Sequence, residues 1–186
     1  MHTKKVVITG GPSTGKTAVI DTLESEGFTC LHEVIRAMTK EQKGEAVEFK
    51  SNPIVSVADP MAFNQTILEA RIQQYQSVSK EEKEVVFFDR GIPDVLAYMD
   101  CFGQTYDATF TDACHVHRYD QVFLMPPWKE IHVSDNERFE SFEESLKVHA
   151  CLMHSYAELG YEVIIVPKAS IQERVSFILN TLNLSP

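Results

Sequence analysis

The stretch Lys5-Val6-Val7-Ile8-Thr9-Gly10-Gly11-Pro12-Ser13-Thr14-Gly15-Lys16-Thr17 decides the reading of this chain. It opens with a short β-branched run that stops at glycines, the pattern of a buried parallel strand. Gly10 to Thr17 is then a complete G-x-x-x-x-G-K-T, whose glycines let the backbone curl so that successive N–H groups point inward at an anion. Residues 15–26 carry Ala18, Val19, Ile20 and Leu23 at helical positions, so a helix begins at the loop and adds the positive end of its dipole. Strand, loop and helix in this order are the context a phosphate-binding loop requires. In such a loop Gly10, Gly11, Pro12, Ser13, Thr14 and Gly15 form the cradle, Lys16 reaches the β- and γ-phosphates, and the Thr17 hydroxyl ligates Mg²⁺.

Outward from the loop, apolar runs alternate with helical periodicity. Phe28–His32 is expected as a second strand, followed by a short helix near 33–41 and a mobile polar excursion from Glu41 to Asp59, broken by Gly44 and Pro53. A long helix over about 60–79 puts Met61, Phe63, Ile67, Leu68, Ile72 and Tyr75 near one face. Val85–Phe88 reads as a third strand, 93–101 as a helix and Gln121–Leu124 as a fourth strand. A helix over about 139–158 spaces Phe142, Leu146, His149, Leu152, Met153 and Tyr156 helically; Glu162–Val166 is a fifth strand and 170–183 a closing helix. Continuously apolar strands alternating with helices imply an α/β domain, a parallel sheet covered on both faces. Right-handed crossovers then align the strand C-terminal ends along one edge, where α/β proteins bind ligands.

Composition narrows the classes. The 186 residues fit one compact domain over 1–186, with a lid at about 126–144. Apolar residues make up 44%, which is globular, and the net charge of −10 opposes nucleic-acid binding while leaving room for a local basic pocket. No apolar run reaches the roughly 20 residues a bilayer span needs, and the N-terminus lacks the form of a signal peptide. Cys30, Cys101, Cys114 and Cys151 form no CxxC pair, and Cys101, Cys114, His115 and His117 are not spaced as paired zinc ligands. The expectation is a cytoplasmic protein with reduced thiols.

Further candidates fall just past the other strand ends. Val85-Val86-Phe87-Phe88-Asp89 closes an apolar strand with a carboxylate, and Asp89 there can hold Mg²⁺ beside Thr17, the plainer alternative being a cap for the helix after Pro93. Arg90 offers a guanidinium to phosphates or to an acidic acceptor, and Asp94 is a substrate contact or an N-cap. Glu33 can act as a base on a hydroxyl acceptor or bind metal through water, with Arg36 one turn along to hold an anionic part of the substrate. The alternative for this pair is a helix-dipole acid and a surface arginine. Trp128–Arg138 reads as a lid whose Arg138 neutralises developing charge, with Lys129 in reserve, or else as a charged solvated loop; the next arginine, Arg174, falls in the closing helix. Lys168, after the fifth strand, offers its stem as a rest for a nucleobase.

GGPSTGKT at 10–17, FFDRG at 87–91 and the Arg138 segment resemble the P-loop kinase group of nucleoside and nucleoside-monophosphate kinases. Asp89-Arg90 looks like the Asp-Arg of thymidylate kinases and the Glu-Arg of deoxynucleoside kinases. With His32-Glu33-Val34-Ile35-Arg36, Phe88 to Tyr98 and Trp128 to Arg138 added, nearly the whole chain is similar to the AAA-like P-loop ATPase family that includes the ribosylnicotinamide kinase domain of the bacterial NAD regulator. The resemblance implies a three-layer P-loop NTPase fold with a five-stranded parallel sheet of order 2-3-1-4-5, ATP or GTP with Mg²⁺, and a mobile lid. The expected function is a small-molecule kinase whose partners are a nucleotide and a nucleoside- or nucleotide-like acceptor. The alternative is a nucleotide-binding regulatory ATPase or GTPase without such an acceptor. A Ras-like GTPase is disfavoured because no Asn-Lys-x-Asp occurs, and an AAA-type motor because Arg90, not a second carboxylate, follows Asp89.

Overall fold

The computed structural model describes residues 2–35, 59–78, 83–132 and 141–185. Arg36, Arg138, the helix expected beyond residue 35, the excursion up to 58 and lid residues 133–140 lie outside these residues. Five strands, β1 (Lys4–Thr9), β2 (Thr29–Leu31), β3 (Val85–Asp89), β4 (Gln121–Leu124) and β5 (Val163–Ile165), form one sheet in the order β2-β3-β1-β4-β5. All four pairings are parallel, and the register sets Ile8 of β1 opposite Asp89 of β3 and Thr9 opposite Leu124 of β4. The ends of β1 and β3 therefore open side by side on one edge, in the strand order that the resemblance implies.

The helices are α1 (Lys16–Ser25), α2 (Pro60–Ser77), α3 (Pro93–Cys101), α4 (Ala108–Val116), α5 (Phe142–Glu158) and α6 (Ile171–Leu182), with a 3₁₀ turn at Lys129–Ile131. Alternation along each strand divides the core in two. Val7, Val86, Phe88, Val122 and Leu124 pack with residues of α2 to α5, whereas Val6, Ile8, Val85, Phe87 and Phe123 pack with α1 and α6. That gives three layers, the sheet in the middle. No helix among the described residues is long and apolar enough to cross a membrane.

Three features depart from the pattern expected of the sequence. Helix α4 was not legible because only Phe110, Ala113 and Cys114 are buried among β-branched and polar neighbours; its clearest signal is the cap, Asp107 accepting from Thr109 N at 2.9 Å. The buried face of α2 is Asn64, Ile67, Leu68 and Arg71, with Met61 42% exposed, so two polar residues sit where an apolar stripe was expected. On α5 the buried face is Ser145, Val148, Leu152, Ser155 and Tyr156, and Leu146 faces outward. Small residues on that face let the helix approach the loop after β1, where a Cβ on Gly11 would lie 3.5 Å from Ser145 O.

Phe87 is fully buried and meets Phe28 edge-to-face with ring centroids 5.7 Å apart. Replacing it by alanine should lower the unfolding free energy by about 3–5 kcal/mol. The exposed Val116→Ala should stay within about 0.5 kcal/mol of the parent, and urea denaturation of both variants checks the contrast.

Candidate active site

The loop after β1 is held in a shape that side chains would obstruct. Gly10 has φ +151°, and a Cβ there would lie 2.7 Å from Met125 O; Gly15 has φ +83° and caps α1. Ser13, between them, is left-handed at φ 56°. Across the loop Thr14 Oγ1 donates to Gly11 O at 2.9 Å, and Lys16 Nζ donates to the same oxygen at 3.1 Å. Thr17 follows on the first turn of α1, half-buried, and its hydroxyl makes no hydrogen bond among the described residues.

Lys16 is buried, and its pKa falls from 10.5 to about 7. Loss of hydration is the main cause and the nearby Arg90 charge adds to it, against the opposing pull of Asp89, Glu33 and Asp94. Those four residues thus lie close enough to the loop lysine to act on its charge.

Past β3, Arg90 takes the left-handed conformation, φ 73°, while its N–H still donates to Ile8 O at 3.0 Å. The turn carries its side chain into a buried ion cluster. Arg90 Nε pairs with Glu33 Oε2, and Arg90 Nη1 donates to Asp94 Oδ1 at 3.2 Å. The other Glu33 oxygen accepts from Arg71 Nη2 at 3.0 Å, and Arg71 Nη1 donates to Gly91 O. Asp94, 1% exposed, also accepts from Thr9 Oγ1 at 2.5 Å, Gly91 N at 3.0 Å and Tyr156 OH at 2.6 Å. Burial alone would raise the Asp94 carboxyl, but the Arg71 and Arg90 guanidiniums with the Thr9 and Tyr156 hydroxyls outweigh it and hold it below the ordinary aspartate range. Tyr156 is pushed the other way, by burial and then by Asp94, and stays a proton donor.

The sequence-based candidates divide accordingly. Gly10 to Thr17, Glu33, Asp89, Arg90 and Asp94 meet at the shared edge of β1 and β3. Asp89 is 5% exposed and belongs to β3; the N-cap position of α3 is Ile92, so the capping alternative for Asp89 does not apply. Asp94 lies in the first turn of α3 rather than at its N-cap, and its carboxylate accepts from Thr9, Arg90, Gly91 and Tyr156. Lys168 lies beyond β5, exposed, and its charge lowers the pKa of His149 after burial has done so. Arg36 and Arg138 lie outside the described residues.

Sequence reasoning missed three members. Arg71 is buried at 4%, and its Nε has no hydrogen-bond partner among the described residues. Its signal was a lone charge seven positions after Asn64 on the face that also holds Ile67 and Leu68. Tyr156 read only as apolar periodicity. Arg174 belongs to α6, yet Nη1 donates to Thr14 O at 3.0 Å across 160 residues of chain.

A parallel sheet of this order, with a G-x-x-x-x-G-K-T loop between β1 and α1, defines a P-loop NTPase of the nucleoside- and nucleotide-kinase-like fold. The chain belongs to a P-loop family described as an AAA domain, whose model matches residues 5–174. None of the curated proteins compared matches it. Among solved structures it is similar to the NadR protein in complex with NR, at 17% identity and TM-score 0.75, covering 99% of this chain and 53% of that one. The chain thus spans about half the length of that protein. It is similar to deoxyadenosine kinase from M. mycoides at 16% identity and TM-score 0.63, covering 96% and 98% of the two chains. Thymidylate kinase from Candida albicans is similar at 15% identity and TM-score 0.67, with 98% and 92% covered.

Because the folded pKa of Lys16 lies below its value of 10.5 in open chain, the unfolded state holds the extra proton between about pH 7 and 10.5. Burying the charged ammonium therefore costs most at and below pH 7, and the cost fades as pH rises. Lys16→Met should raise the thermal midpoint of the ligand-free protein at about pH 6, with the gain shrinking toward pH 10. A gain independent of pH, measured by thermal denaturation across that range, would contradict the assignment.

Proposed function

We propose that the protein is a magnesium-dependent, ATP-binding small-molecule kinase that passes the γ-phosphoryl group to a nucleoside- or nucleotide-like acceptor, with GTP as an alternative donor. One observation carries this reading: beside the loop and Lys16 stands the buried Glu33–Arg90 ion pair, with Arg71 and Asp94 bracing it from either side. A phosphate cradle alone would serve any nucleotide binder. An oriented carboxylate and guanidinium next to it supply what group transfer adds, a place for the accepting group and positive charge for the group in flight.

In this reading the loop amides and Lys16 hold the donor phosphates. Thr17 and Asp89 are hard oxygen donors, a set that fits Mg²⁺. Thr17 and Asp89 would hold that ion, which would supply positive charge to the donor phosphates. Arg90 attends the transferring phosphoryl group, held to its task by Asp94, which Thr9 and Tyr156 fix in turn. Glu33, paired with two guanidiniums, orients the acceptor hydroxyl; in a loose transition state orientation matters more than basicity. Arg36 would clamp an anionic part of the acceptor, Arg138 would arrive with the lid, and Lys168 would rest against the base. The free thiols of Cys30, Cys101, Cys114 and Cys151 suit a reducing, cytoplasmic setting.

The test is ADP release with Mg·ATP against a panel of nucleosides, nucleoside monophosphates and pyridine ribosides. One acceptor class should stimulate release, and Glu33→Gln should lower that stimulated rate by about 10²–10⁴ while nucleotide binding persists. Release near background that no acceptor changes would instead favour a regulatory nucleotide-binding protein.

A further inference from the structure

Arg174 occupies the outer side of the phosphate loop in a manner that the proposed chemistry does not yet use. It is 4% exposed, and no carboxylate pairs with it among the described residues. Its guanidinium is instead spread over three separate parts of the chain. Nη1 donates to Thr14 O at 3.0 Å, Nε donates to Ala169 O in the turn before α6 at 2.8 Å, and Cζ lies over the Trp128 ring, 4.7 Å from its centroid. Gly15 accommodates this approach, since a Cβ there would come within 2.8 Å of Nη1. The loop is thus built around the guanidinium.

A trans peptide fixes the consequence. The carbonyl of one residue and the N–H of the next point in opposite directions, so a hand on Thr14 O from outside turns Gly15 N–H inward. We infer that Arg174 is a positioning residue for the phosphate loop: by clasping Thr14 O it aims Gly15 N–H at the bound phosphate, so that the cradle is organised before ligand arrives. The donor is charged and forked, which makes the clasp stronger and more directional than a neutral bond. Stacking on Trp128 restrains the guanidinium and ties the loop to the segment leading toward residue 132. Preorganised amides cost nothing to order on binding, and that is where the affinity gain arises.

This inference rests on Gly10 to Thr17 being the phosphate site, and the test separates the two. In ¹⁵N-labelled, ligand-free protein, Arg174→Met should shift or broaden the Gly15 amide resonance, an outcome that needs no nucleotide. In calorimetry with Mg·ATP and with inorganic tripolyphosphate, Arg174→Met should weaken both ligands by a similar factor, about tenfold. Arg174→Lys, which keeps the charge but loses the fork, should fall between, and it carries the comparison if the methionine variant does not fold. An unchanged Gly15 resonance, or loss of ATP affinity with tripolyphosphate binding intact, overturns the inference, the latter because it would assign Arg174 to the nucleobase. Failure of the wild-type protein to bind either ligand would refute the proposed function, and the Gly15 resonance would then decide the positioning role alone.

Discussion

Charged side chains are buried together at the carboxyl edge of this sheet, and such burial is tolerated only when the charges are matched and hydrogen-bonded. Lys16, Arg71 and Arg90 stand there against Glu33, Asp89 and Asp94. Each arginine bridges two elements: Arg71 joins α2 to Glu33 and to the turn after β3, and Arg90 joins Glu33 to α3. Removing one partner would leave another buried and unpaired, so the cluster binds the helices to the strand ends as a unit. Lys16 is the least well provided. It has a carbonyl partner rather than a close carboxylate, and burial, then the Arg90 charge, lower its pKa further than the three nearby carboxylates raise it.

That asymmetry gives the site its direction. A balanced cluster beside an under-compensated lysine and a ring of amides is poised for an anion to complete it. The acidic surface, net −10, supplies no general attraction for phosphate, so affinity depends on these few inward groups. The same reasoning places Arg174 in the design, a buried cation whose charge is spread over carbonyls and a ring immediately outside the loop.

Much of this was legible wherever neighbouring residues in sequence remain neighbours in space. Lys5 to Thr17 and Val85 to Arg90 are continuous strand-and-turn signals, and both landed as read because continuous apolar runs at glycine or carboxylate ends leave few folded alternatives. The strand order came with the family resemblance, since hydrophobic pattern alone does not rank parallel neighbours. Where the reading failed, packing had overruled pattern. Arg71 turned the inner face of α2 polar because the ion cluster needed a cation there, and Asn64 on the same face donates instead to Gln104 Oε1; Ser145 and Ser155 displaced larger residues from the buried face of α5, and Ser145 lies where that helix meets the loop. Helix α4 lacks strong helix formers and is held by its cap and three buried side chains. Arg174 had no local signal at all, being linked to the loop only by the folded topology.

The most direct measurement of the central claim, that Lys16 and the loop amides take a nucleotide's phosphates, is calorimetric binding of Mg·ADP at about pH 8 in buffers of differing ionisation heat. A lysine with a pKa near 7 is mostly neutral there, and phosphate contact should restore its proton. The account predicts uptake of about one proton per nucleotide, abolished by Lys16→Met along with most of the affinity. Heats that do not vary with buffer, or a Lys16→Met variant that binds and protonates like the parent, would contradict it.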